Sequence, residues 1–197
     1  FLVRAIEKDA PGLNVRMVPL TTREPRPMLL RGDIDLAIGF FPGVAAQLAS
    51  GQNTAVSQIR HERLYTGEYV CVMRKNHPLA KVELTLDNYC AAHHLLVSFS
   101  GRAKGLMDEA LTNLGRERRI LLTVNQFFTA GRVVASSDLI TVLPRHLIAS
   151  TGMAEALIAK DLPFELPDVH AYMLWHERDA RNPAHKWLRE QFSASPA

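Results

Sequence analysis

The sequence predicts an α/β protein on three observations. Short, partly β-branched apolar runs bounded by turn residues alternate with stretches of helical periodicity. The chain has 197 residues, 47% hydrophobic and 22% charged, which suits one large domain or two small ones and excludes disorder and fibrous classes. Two proline-containing breaks, His77-Pro78 and Leu162-Pro163 to Pro167, stand like paired linkers and divide the chain into two lobes, one of them discontinuous.

Leu2 to Asp9 reads as a helix that stops at Ala10-Pro11-Gly12 and feeds a strand from Val15 to Leu20. A strand ahead of that helix would complete the first βαβ unit, so the chain is expected to be a fragment of a longer polypeptide. A helix around Pro25 to Arg31 turns at Arg31-Gly32-Asp33 into a strand from Asp35 to Phe40. Further strands are expected at Tyr69 to Arg74, Leu95 to Phe99, Ile120 to Asn125, Leu139 to Leu143 and His170 to Trp175. Met107, Ala110, Leu111 and Leu114 share one face of a helix, with Asp108, Glu109 and Asn113 opposite. Gly115 stops that helix, and Ser100 is a candidate for its N-cap. Asn182 as N-cap, with Pro183 at the first helical position, opens a last helix that buries Trp187, Leu188 and Phe192. The breaks assign residues 1–75 and 168–197 to lobe I and residues 76–167 to lobe II, with a cleft where the chain crosses.

A net charge of +3, from 23 Lys and Arg against 20 Asp and Glu spread along the chain, is weak support for nucleic-acid binding. The densest basic cluster, Arg116, Arg118 and Arg119, follows Gly115 and reads as a solvated helix end. Cys71 and Cys90 form no CxxC pair and read as structural thiols in a reducing compartment. The longest charge-free stretch, Leu36 to Ile59, contains Pro42, Gly43, Gln47, Gly51, Gln52 and Asn53, which rules it out as a membrane span. With no signal-peptide pattern, the expectation is a cytoplasmic protein that does not engage a membrane.

Catalytic and metal signatures fare poorly. Ser98-Phe99-Ser100-Gly101 matches no nucleophile elbow, P-loop or dinucleotide fingerprint. A triad of Ser98 or Ser100, His93 or His94, and Asp138 has only composition behind it. His61-Glu62-Arg63 and His176-Glu177-Arg178 lack the second ligand at i+4 that a helical zinc motif needs. No catalytic residue, metal or cofactor is assigned.

Taken in order, Gly32 to Gly39 (G-D-I-D-L-A-I-G), Arg74 to Ala80 (R-K-N-H-P-L-A) and Ala135 to Pro144 (A-S-S-D-L-I-T-V-L-P) resemble the effector domain of LysR-type transcriptional regulators over nearly the whole chain. The ending from Trp175 to Arg189 resembles the branch that answers aromatic compounds or plant flavonoids. The resemblance implies two Rossmann-like lobes of the type 2 periplasmic-binding-protein kind with a small effector in the central cleft. It further implies a winged helix-turn-helix domain N-terminal to this chain through which alone DNA is bound, and homo-oligomers, dimers of sensing domains that form tetramers at full length. It also implies a first strand, not in this chain, whose following turn carries a Ser or Thr donor for the effector. The helices around Pro25 to Arg31 and Leu106 to Leu114 are the expected pairing faces.

In open α/β sheets ligands settle at the carboxyl ends of strands, near helix N-termini. Three segments qualify here and supply the candidate effector-binding residues: Gly39, Phe40, Phe41 and Pro42; Ser98, Phe99, Ser100 and Gly101; and Gln126, Phe127 and Phe128. The phenylalanines would wall an aromatic ring, while Ser98, Ser100 and Gln126 would hydrogen-bond a carboxylate or phenol. The resemblance favours Gln126 as the effector-facing polar position. Arg102 and Arg145 are alternative anion partners or surface ion pairs. The leading reading is a ligand-sensing regulatory module; a transporter solute-binding protein and a small hydrolase are the alternatives.

Overall fold

The computed structural model describes residues 1–49 and 58–194, so Gly51, Gln52 and Asn53 of the charge-free stretch lie outside the described residues. In chain order it begins with α1 (Leu2–Asp9), α2 (Arg26–Arg31), β1 (Leu36–Phe40), α3 (Pro42–Ala49) and β2 (Ile59–Gly67). Next come β3 (Tyr69–Arg74), α4 (Leu86–Ala91), β4 (His93–Val97), α5 (Leu106–Asn113), β5 (Arg119–Val124), α6 (Phe127–Ala135), β6 (Ile140–Pro144) and β7 (Leu157–Lys160). The chain ends with β8 (Val169–His176) and α7 (Pro183–Ser193). It divides into two units, residues 1–66 with 170–197 and residues 67–169.

The first unit is built on a three-stranded sheet of order β1-β8-β2, with β1 antiparallel to β8. Its core gathers Leu29 from α2, Ala37 from β1, Phe41, Val44 from α3, Ile59 from β2, and Tyr172 and Leu174 from β8. Gly32 ends α2 in the left-handed region, which lets the chain turn directly toward β1. Asn182 caps α7 through both the Ala184 and His185 amides, with Pro183 at the first helical position, as its sequence indicates. That helix buries His185 and Arg189 most deeply, and Trp187, Leu188 and Phe192 only partly.

The second unit carries a five-stranded sheet of order β5-β4-β6-β3-β7, in which β4 runs parallel to β5 and β6 while β3 is antiparallel to β6 and β7. α6 packs Ala130 and Val134 on Val70, Val72, Leu95 and Leu143 of one face. Cys71, Met73, Tyr89, Leu111 and Ile140 form the core of the other. β3 therefore buries both faces, which explains its nearly unbroken apolar run. Burial pushes the Cys71 thiol up to about 12, as befits a packing residue.

Several expectations need correcting. Val15 to Leu20 is not a strand; Val15, Met17 and Val18 are exposed, and no strand among the described residues pairs with them. Residues 69–74 hydrogen-bond between β6 and β7, so they belong with the second sheet and not with lobe I. β2 and β7 were not foreseen, because β2 is largely polar and exposed and β7 is only four residues long. The α5 N-cap is Gly105, whose amide donates to Asp108 Oδ2 at 2.7 Å, and not Ser100. Arg118 is no solvated helix end: its side chain is 1% exposed and ion-paired with Asp108. His77 and His176 both cap single 3-10 turns through Nδ1, accepting from the Leu79 and Arg178 amides, which accounts for each without a metal.

Candidate functional site

In the first unit β1 ends at Phe40, and α3 begins two residues later with Pro42. Gly39 pairs in register with Tyr172 of β8, and Phe40 with Ala171. A Cβ added at Gly39 would stand 3.3 Å from the Phe41 ring, a tight contact that the bare glycine relieves. Phe41 is 2% exposed and part of the core. It backs the strand end instead of presenting a free face there. Around Gly43, Arg26 pairs with Glu24 and donates to Gln47 Oε1 at 2.7 Å, tying the approach to α2 onto α3.

The second unit brings two of the expected segments together. Ser98 N donates to Val124 O at 2.8 Å, extending the β4–β5 ladder by one residue, and Gly101 N donates to Ser98 O at 3.2 Å to close a turn. Gly101 has a positive φ of 70°, which suits glycine at that position. The turn holds Phe99 47% exposed, with its ring edge-on to Phe127 at a centroid separation of 5.3 Å. Gln126 is extended and its side chain does not cap α6, so the amides of the first turn, from Phe127 to Thr129, keep the free donors of a helix N-terminus. Phe127 and Phe128 are helical, not strand residues, so both remain at the same end; Phe128 is 48% exposed beneath the Arg132 guanidinium at 4.9 Å.

Other sequence candidates are committed elsewhere. Arg145 donates to both Glu68 carboxylate oxygens and to Asp161, at 2.8 to 2.9 Å. Asp138 accepts from Arg74 at 2.9 and 2.6 Å. His94 is fully buried, with Nε2 donating to Tyr89 O at 2.8 Å, and His93 contacts Arg119. The suggested triad is thus not assembled. Among the described residues no group of three His, Cys, Asp or Glu is placed to hold a metal ion.

A further group lay outside the sequence candidates. The Tyr172 ring meets the imidazoles of His61 and His170 edge-on, and Thr66 Oγ1 lies 2.9 Å from His170 Nδ1. These residues come from β2 and β8, about a hundred positions apart in sequence, so no local pattern announces them.

The LysR substrate binding domain family matches residues 1–196. The chain belongs to that family. This LysR domain is 28% identical over 191 residues to the HTH-type transcriptional activator NagR of a Ralstonia species, covering 97% of the chain and 60% of NagR. It is 30% identical over 168 residues to the HTH-type transcriptional regulator SyrM 1 of Sinorhizobium fredii, covering 85% of the chain and 46% of the regulator. The chain thus spans about three-fifths of NagR and less than half of SyrM 1. Among solved structures, the regulatory domain of MexT, a transcriptional activator in Pseudomonas aeruginosa, aligns with a TM-score of 0.72 at 30% identity over 98% of this chain and 89% of that one. The effector binding domain of QuiR in complex with shikimate aligns with a TM-score of 0.68 at 20% identity, over 98% and 86%, a likeness of fold. LysR effector-binding domains share the two-lobed α/β fold of periplasmic binding proteins, and that is the fold class of this chain.

Proposed function

We propose that the chain is the effector-sensing part of a cytoplasmic LysR-type transcriptional regulator, the rest of which carries a winged helix-turn-helix domain that binds DNA. The HTH-type names of the relatives, and the share of their length that the chain spans, support this reading. The domain acts by binding and not by catalysis. The effector is a small aromatic acid or phenol, met in the second unit by Ser98 to Gly101 and Gln126 to Phe128; Gly39, Phe40, Phe41 and Pro42 are the candidate positions of the first unit, taken by itself.

The observation that carries this reading is the edge-on pair of Phe99 and Phe127 beside the uncapped start of α6. The exposed Phe99 ring, backed by the half-buried Phe127, offers edge and face contacts to a planar ligand, of about 0.5 to 1.5 kcal/mol per pair. Free amides and the helix dipole favour a carboxylate next to them, with the Ser98, Ser100 and Gln126 side chains as further partners. Such a ligand changes the regulator's state only by binding one arrangement of it better than another.

Self-association of the domain completes the proposal. Phe1 and Val3 at α1 and the Val15 to Val18 segment expose apolar side chains on the first unit, as do Leu114 after α5 and Leu121 and Leu122 of β5 on the second. α2 adds Leu30, so the two expected faces around α2 and α5 widen to include α1 and β5.

Thermal unfolding in the presence of benzoate, phenol and related aromatic acids tests the effector. A ligand at 100 times its Kd adds about 2.7 kcal/mol, and a chain of this size responds with about 2 to 4 °C per kcal/mol. The expected result is a stabilising compound whose effect is lost in Gln126→Ala and Phe127→Ala. Stabilisation that survives both substitutions would move the site elsewhere.

A further inference from the structure

The effector reading leaves unused a groove on the second unit, between α5 and the segment Pro163 to Pro167 that leads to β8. It shares no residue with the site around Phe99 and Phe127. α5 lends it Leu106, Glu109, Ala110, Asn113 and Leu114, the i, i+3, i+4, i+7 and i+8 positions of one helical stripe, while Met107, Asp108 and Leu111 of the same helix are buried. The facing wall is held in place. The Phe164 ring stands edge-on to Tyr89 at 5.3 Å and packs with Leu86 against the buried cluster of Met73 and Leu111, and Pro163 and Pro167 stiffen the backbone on either side. A groove of about 530 Å³ has the size of a small-molecule site, so its pre-formed walls suit a compact ligand and not the face of another chain.

The charge of this groove is one-sided. Glu109 and Glu165 line it, and no Lys, Arg or His stands beside them in its walls. Among the described residues neither carboxylate has an ion-pair or hydrogen-bond partner, whereas Glu68, Asp87, Asp108, Asp138, Glu155 and Asp161 of the same unit are each paired with an Arg or Lys. Two unspent carboxylates beside a half-buried aromatic ring repel anions and attract a cation. We propose that this groove is a separate ligand site, for an organic ammonium ion whose apolar body packs on Leu106, Leu114 and Phe164 and whose charge lies toward Glu109 and Glu165. The Asn113 carboxamide oxygen is a further acceptor for an ammonium N–H. The site does not depend on what the effector is.

Calorimetric titration with phenethylammonium chloride and with 2-phenylethanol, which has the same body and no charge, tests this. The cation is expected to bind about tenfold tighter than the alcohol, and the preference to shrink as sodium chloride is raised. Glu109 and Glu165 are exposed, so Glu109→Gln and Glu165→Gln keep the fold. Each is expected to weaken the cation by about two- to fivefold while the Kd for the alcohol stays put. Ala110→Phe, which fills the groove from α5, is expected to abolish binding of the cation. Equal binding of the two compounds, no binding of the cation, or cation binding undiminished in all three variants would overturn the proposal. So would a change of sedimentation mass in Glu109→Gln or Glu165→Gln, which would make the groove a contact between copies of the chain.

Discussion

Arg118 shows how a single residue can be misread when only its neighbours in sequence are known. Its guanidinium donates to Asp108 Oδ1 at 2.8 Å and Oδ2 at 3.0 Å, and to the Tyr89 hydroxyl at 3.2 Å. Burial alone would raise the Asp108 carboxyl, but the Arg118 hydrogen bonds and charge outweigh it and hold the group below the usual carboxylate range. Asp108→Asn would leave the buried guanidinium uncompensated and is expected to lower stability by about 3 to 5 kcal/mol in urea unfolding. A loss under about 1 kcal/mol would mean that water reaches the pair. Next to it, burial and then the Arg118 charge push the His94 imidazole from its usual 6.5 down to about 4. The folded state therefore holds fewer protons than the unfolded state between those values, and stability falls as pH falls through that window, by roughly 3 kcal/mol in full. Unfolding free energies measured from pH 7 to pH 4.5 are expected to decline, and His94→Gln to flatten the decline; an unchanged slope in that variant would refute the assignment. At the proposed site, Phe99 and Phe127 were legible because each stands at a strand end that local pattern could locate. Phe41 was not, because its inward turn is set by core partners such as Leu29, Tyr172 and Leu174, most of them distant in sequence.

At the scale of elements, packing often decides what local pattern leaves open. α6 approaches the 3-10 turn Ala149–Thr151 so closely that a Cβ on Gly131 would stand 2.4 Å from the Thr151 Cβ. Gly131 has helical backbone geometry, so alanine there gains helix propensity yet must displace a neighbour that is 1% exposed. Gly131→Ala is expected to lose about 1 to 3 kcal/mol net in thermal or urea unfolding, the usual penalty for overpacking; a stabilised variant would show that the turn yields freely. Helices with clear punctuation were legible, as with Asn182-Pro183 opening α7 and Gly32 closing α2. β2 was hidden because its exposed charges break the apolar alternation that marks a strand. The opposite error arose at Val15 to Leu20, whose β-branched residues suit a strand but have no partner strand among the described residues.

For the whole molecule, the exposed apolar side chains make a prediction about assembly. Met17→Glu and Leu121→Glu place charges on the two proposed association surfaces at positions with little burial in the fold. Sedimentation is expected to show a dimer for the unaltered chain and a shift toward monomer for both variants, with unfolding free energies within about 0.5 kcal/mol of the parent. An identical mass for all three proteins would place the pairing surface elsewhere.

What the sequence determined by itself was the α/β class, most strand cores, the helix boundaries set by Pro, Gly and Asn, and the family, since each is written in short-range pattern or in ordered motifs. Tertiary structure alone decided which sheet β3 joins, that Arg118 turns inward to Asp108, that Phe41 lies under Gly39, and that His61 reaches Tyr172. The physical reason is common to these cases. Strand pairing, buried ion pairs and ring contacts join residues far apart in sequence, and their free energy depends on burial and geometry that no local pattern records.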